Sequence, residues 1–271
     1  MRYNGNMMNN TKTYDFDDGA GPVPAHQHSN GGGWVADSTR VVDSAYIGRK
    51  AKVSGTAWVL HNARVFGNAR VFDNAVIYDN AWVYDTARVF GNASVYGTAK
   101  VYGNAVVYGN AVVYGIAWIY DNAVVCGTAR VYGYAEVTGH AWVFGTAKVY
   151  GNTQVYDNAR VFGNTQVYGY AKVYGIAEVY GNAEVYDNAM VFGAARVYDN
   201  AVVYDGAKVY GTARVYGNAR VYGNARVFGN AWVRGIAEVY GNAQVYGHAW
   251  VFGNAKVSSN AVVVAPAPWS N

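Results

Sequence analysis

His26 and His28 stand two residues apart and are the first side chains in the chain with the spacing of a metal pair. On a strand both imidazoles would leave the same face. A catalytic zinc site needs three protein ligands and a structural one four, and no third ligand lies nearby. A polar loop accounts for the two histidines. His61, His140 and His248 follow singly, far from one another. Cys126 is the single cysteine, so no disulfide can form within the chain, and stability does not depend on an oxidising compartment. No nucleophile stands beside a base. The expectation is a non-enzymatic chain with no cofactor and no metal.

A second chemistry is offered by basic side chains interleaved with aromatics: Arg64, Arg70, Arg88, Lys100, Arg130, Arg160, Arg196, Arg214, Arg220 and Arg226. Such a surface can stack single-stranded nucleic acid. The formal charge, however, is only +4, from 21 basic and 17 acidic residues. The basic positions are also spread along the chain, with corner aspartates near them. A mixed-charge, solvated surface is expected, and nucleic acid is not an expected partner.

All these residues are positioned by one repeat. A Val or Ile recurs at every sixth residue from Val35 to Val263, at 39 consecutive positions without insertion or deletion. Four residues after each comes a small one, Ala throughout except at Thr39, Thr153 and Thr165. In a unit such as Ala63-Arg64-Val65-Phe66-Gly67-Asn68, the first four residues alternate. Ala63 and Val65 then share one face, and Arg64 and Phe66 the other. Gly67-Asn68 makes a corner, since both residues tolerate the left-handed region. A helix is excluded, because apolar positions spaced by two and six form no stripe at a period of 3.6. So short a strand cannot bury its inner face alone. Coiling the chain and stacking the coils about 4.8 Å apart does so.

The outer aromatics favour 18 residues per coil. At that spacing one column is all tyrosine: Tyr78, Tyr96, Tyr114, Tyr132, Tyr150, Tyr168, Tyr186, Tyr204, Tyr222 and Tyr240. The phenylalanines of the repeats fall in the other two columns. The expected fold class is therefore all-β: a single-stranded parallel β-helix, or β-solenoid, triangular, with about 13 coils and a length of roughly 60 Å. Residues 1–33 read as a non-repeat N-terminal arm or cap and 34–264 as the solenoid. Residues 265–271 read as a tail in which Pro266 and Pro268 stop strand pairing. No stretch is apolar and long enough to span a membrane as a helix, and Met1–Asn6 lacks the apolar core of a secretory leader.

Val65 through Arg70 fits the hexapeptide pattern of left-handed parallel β-helices: a branched aliphatic, three variable residues, a small residue and one more variable residue. With its many Gly-Asn-Ala-x-Val-Tyr units the chain also resembles the YdcK-like β-solenoid repeat proteins of bacteria and their phages. Gly31-Gly32-Gly33-Trp34-Val35-Ala36-Asp37 looks like the entry into the first coil of phage-encoded members. The resemblance implies left-handed coiling and a phage or bacterial setting, such as a virion or extracellular appendage, with a cytoplasmic location left open. Hexapeptide acyltransferases share the fold but carry a protruding loop and a histidine near it, and the uninterrupted period leaves no such loop here.

Three sides of aromatics exceed what a soluble monomer usually exposes. Self-association is therefore the first functional expectation. It would build a fibre, filament or appendage through the solenoid ends, the N-terminal arm and the aromatic ladders, with the chain itself as partner. The alternative is recognition of a surface polysaccharide by the column from Tyr78 to Tyr240.

Overall fold

The computed structural model describes residues 12–266. Among them there is no helix; they form a parallel β-solenoid of three sheets with fifteen, thirteen and thirteen strands. Strands pair with their copies 18 residues on, as Val65 with Val83 and Val83 with Val101. Eighteen residues per coil and about 13 coils are thus the observed architecture. The ladder proper is shorter than the alternation of four residues implied. It covers two residues per side, such as Arg64–Val65, and the flanking aromatic continues the bonding.

The backbone bonds run one way between coils. Arg64 N–H donates to the Ala81 carbonyl at 2.9 Å, Phe66 N–H to that of Val83 at 3.0 Å, and Asn68 N–H to that of Asp85 at 2.5 Å. The corner closes when Ala69 N–H donates back to the Phe66 carbonyl at 3.4 Å. Gly67 has φ +66°, and Asn68 is not in the left-handed region. Positive φ at the first central residue alone is what a type II′ turn requires.

Inward positions are Ala and Val because the tube is narrow. Both rows are fully buried from Ala45 to Val245 and form one continuous core. Thr153 and Thr165 enter it without cost to polarity. Their hydroxyls donate to the Tyr150 and Phe162 carbonyls at 2.7 and 2.6 Å, so neither hydroxyl is left without a partner.

The two ends differ. β1 (Thr13–Asp15) and β2 (Pro22–Gln27) form an antiparallel hairpin. β2 pairs antiparallel with β3 (Trp34–Ala36), so the hairpin extends the longest sheet beyond its first solenoid strand. Phe16 is buried at 1 % exposure, and Tyr14 stacks on Trp34 at 4.3 Å. Lys52 pairs with Asp17, holding that carboxyl below its ordinary pKa, and an Arg70 amino group donates to the Phe16 carbonyl. Asn30–Gly33 meets a second sheet at β5 (Tyr46–Ile47): Gly33 N–H donates to the Ile47 carbonyl and Ile47 N–H to that of Asn30. The third sheet starts at β4 (Arg40–Val41), an edge strand. The described part of the arm therefore clasps its own solenoid. At the other end, among the described residues, Ala255 and Ala261 of the inward row are exposed, and Val257 and Val263 half-buried.

Candidate interaction surface

The tyrosine column is brought together along its whole length. From Tyr78 to Tyr240 each ring stacks on the next, with centroids 4.6–5.0 Å apart and interplanar angles of at most 13°. The coil spacing sets the distance, since strands pair at about 4.8 Å and stacked rings prefer nearly the same separation. Ring faces are consumed within the ladder, and the ring edges and hydroxyls point outward. Burial, helped by nearby carboxylates and neighbouring tyrosines, pushes Tyr168 and Tyr222 up to about 12. The Tyr222 hydroxyl donates to Glu238 at 3.1 Å.

A second column runs Phe66, Tyr84, Tyr102, Tyr120 and resumes at Tyr156, Tyr174, Phe192, Tyr210, Phe228, Tyr246. The third is broken at Cys126 and Arg234. Cys126 is only 8 % exposed there. The Arg234 guanidinium lies over the rings of Trp250 and Phe252, 5.4 and 5.7 Å from their centroids.

Corners carry side-chain ladders that sequence reasoning missed. Asn74 donates to Asn92 and Asn92 to Asn110, at 3.1 and 3.0 Å; Asn164, Asn182, Asn200 and Asn218 form a second such chain. Corner threonines such as Thr98 and Thr146 donate to the glycine carbonyl of the next coil. Their signal was present as Asn recurring at 18-residue intervals. Aspartate takes the glycine position at several corners: Asp73, Asp85 and Asp157 adopt φ near +58° and also accept the N–H of Gly91, Gly103 and Gly175.

The histidines do not converge. His26 Nδ1 lies 2.7 Å from Asp37 Oδ1 on the surface, while His28, just beyond β2, is buried with its Nδ1 near Asn30. His61 meets Asp79 at 3.1 Å, and His248 meets Asn230 at 3.3 Å. Among the described residues no group of three or more His, Cys, Asp or Glu is placed to hold a metal ion, and no helix is long and apolar enough to cross a membrane.

The second column lacks a ring at Thr138. A cleft of about 330 Å³ opens there, lined by Tyr120, Asp121, Glu136, Thr138, Gln154, Tyr156 and their neighbours. Thr138 donates to Asp121 at 2.5 Å, and Gln154 to Glu136 at 3.3 Å. Glu136 and Gln154 also wall a second cleft of about 290 Å³, bounded by Ile116, Trp118 and Tyr134.

Units of this geometry can be compared directly with known repeats. Segments of the chain are similar to the YdcK beta solenoid repeat. Residues 63–79, 99–115, 154–169, 195–211, 213–223 and 219–235 match it, together less than half of the chain. Comparison with curated proteins gives no match. The YdcK-type segments fall on ordinary coils, and none of them includes Thr138.

Proposed function

We propose that this protein is a non-enzymatic structural rod that self-associates, with the open C-terminal coil as its principal contact. The observation that carries the proposal is the difference between the two ends. The N-terminal coils are clasped by β1, β2 and Asn30–Gly33. The last described coil, by contrast, leaves the inward Ala255 and Ala261 exposed beside edge strands, with the outward Val262 and Val264 also exposed. Uncovered inward residues next to unpaired strand edges are what a second chain satisfies, by burying apolar area and completing backbone hydrogen bonds. Flush stacking of one rod's tail on another's head is opposed by the hairpin. The favoured contact is tail to tail, and the aromatic sides serve lateral packing into a fibre or appendage. Left-handed coiling and a virion or cell-surface setting belong to this proposal; the first rests on the hexapeptide resemblance and the second on the resemblance to YdcK-like repeat proteins.

Recognition of polysaccharide by the tyrosine column has less support, because sugars stack on ring faces and those faces are occupied. The test is sedimentation velocity with electron microscopy on the wild type and on Ala255→Lys/Ala261→Lys. The wild type is expected to give paired rods or fibres, and the variant single rods with unchanged far-ultraviolet dichroism. Wild-type protein that stays single at high concentration would sink the proposal.

A further inference from the structure

We propose that the face around Thr138 is a docking site for an arginine side chain of a partner polypeptide, whose guanidinium completes the interrupted aromatic ladder. Tyr120 and Tyr156 stand two coils apart, so about 10 Å separates their rings, twice the strand spacing. One planar group between them lies at stacking distance from both. Thr138 is too short to fill that space, and its hydroxyl is already committed to Asp121.

Charge selects which planar group fits. Asp121, Glu136 and Asp157 line the cleft, and neither it nor the adjoining one at Trp118 is lined by Lys or Arg. None of the three carboxylates forms a salt bridge among the described residues. A guanidinium is flat, cationic and suited both to aromatic faces and to carboxylates. The molecule shows the substitution elsewhere: at Arg234 a guanidinium replaces a ring of a ladder and lies over Trp250 and Phe252.

The neighbouring outward positions follow the same chemistry. Arg64 lies between Tyr46 and Trp82, and Lys100 between Trp82 and Trp118, each 4.9–5.1 Å from the rings. After Trp118 the series turns to Glu136, so that among the described residues the Trp118 ring carries a cation, Lys100, on one side only. A polypeptide as carrier is indicated by the corner beside the clefts. Ile116 and Tyr134, 42 and 60 % exposed, are neighbours in one corner column and give an apolar edge for the residues flanking the arginine, ahead of Asn152.

The experiment is fluorescence anisotropy of a labelled Gly-Ser-Arg-Ser-Gly peptide with full-length protein, beside its citrulline and lysine counterparts. The variants are Thr138→Tyr, which restores the ring found in most coils and should fold normally, and Glu136→Gln. Saturable binding of the arginine peptide is expected, at least about tenfold weaker for citrulline because a charge-assisted hydrogen bond is lost. Binding should be weaker for lysine, which is not planar, absent in Thr138→Tyr and reduced in Glu136→Gln. No saturable binding, equal binding of citrulline, or binding undiminished in Thr138→Tyr would each overturn the assignment.

Discussion

The rings of Tyr132 and Tyr150 lie parallel, with an interplanar angle of 0° and centroids 4.8 Å apart. The Tyr132 ring also stacks on Tyr114 from the other side, at 4.7 Å. Removing it by Tyr132→Ala strips one face from each neighbour. A loss of about 1–3 kcal/mol is expected, read as a lower denaturant midpoint, and Tyr132→Phe should cost much less.

The tyrosines also set a limit on alkaline stability. Burial foremost, with neighbouring tyrosines and carboxylates, pushes Tyr102, Tyr168 and Tyr222 up to about 12, against an ordinary value of 10.0. The unfolded chain therefore loses these protons at lower pH than the folded one. Stability contributed by the neutral rings is fully present below pH 10 and is lost as pH rises from 10 towards 12. A tyrosinate absorbance titration should show these groups ionising together with loss of β dichroism, and independent titration near 10 in the intact fold would contradict it.

At the corners, backbone conformation and close approach act together. Gly115 has φ +73°, and a Cβ there would lie 3.0 Å from Gly133 N. Gly115→Ala is expected to cost about 1–3 kcal/mol in thermal or denaturant unfolding. Gly115→Asp should cost less, because the carboxylate can accept the Gly133 N–H as Asp79 accepts that of Gly97 at 3.2 Å.

Core tolerance should depend on position along the rod. Ala111 is fully buried between coils, whereas Ala255 is exposed in the last one. Ala111→Leu overpacks a closed tube and should cost about 1–3 kcal/mol or prevent folding. In rods kept single by dilution, Ala255→Leu should leave the melting temperature nearly unchanged. Equal losses there would mean that the last coil is covered within the single chain.

The fold was legible because its rule is local and repeated. Val65, Ala69 and Gly67 each state by type where they sit, inward or at a corner, and the 18-residue segregation of Tyr78 to Tyr240 selected three sides over two. Pairing that depends on single substitutions was harder to read. The expectation of an arm before Trp34 did not show that Phe16 would be buried or that Lys52 would hold Asp17, since these contacts join irregular residues far apart in the chain. Likewise Thr138 was visible as an exception among aromatics. The cleft it leaves depends on two rings and a carboxylate from three successive coils, a relation that only the register of the stack reveals.

The one-way bonding between coils has a further consequence for how such a chain is lengthened. Each coil is held by the next through bonds that use no side chain, and every inward position is met by an equivalent one 18 residues later. Duplicating or deleting a hexapeptide would turn everything beyond it by a third of a revolution and still present valines and alanines to valines and alanines. Only the outer ladders would change partners. The molecule is in that sense a ruler: its length can be reset in small increments without redesign of the interior, and each new length brings a different arrangement of rings and charges to its sides.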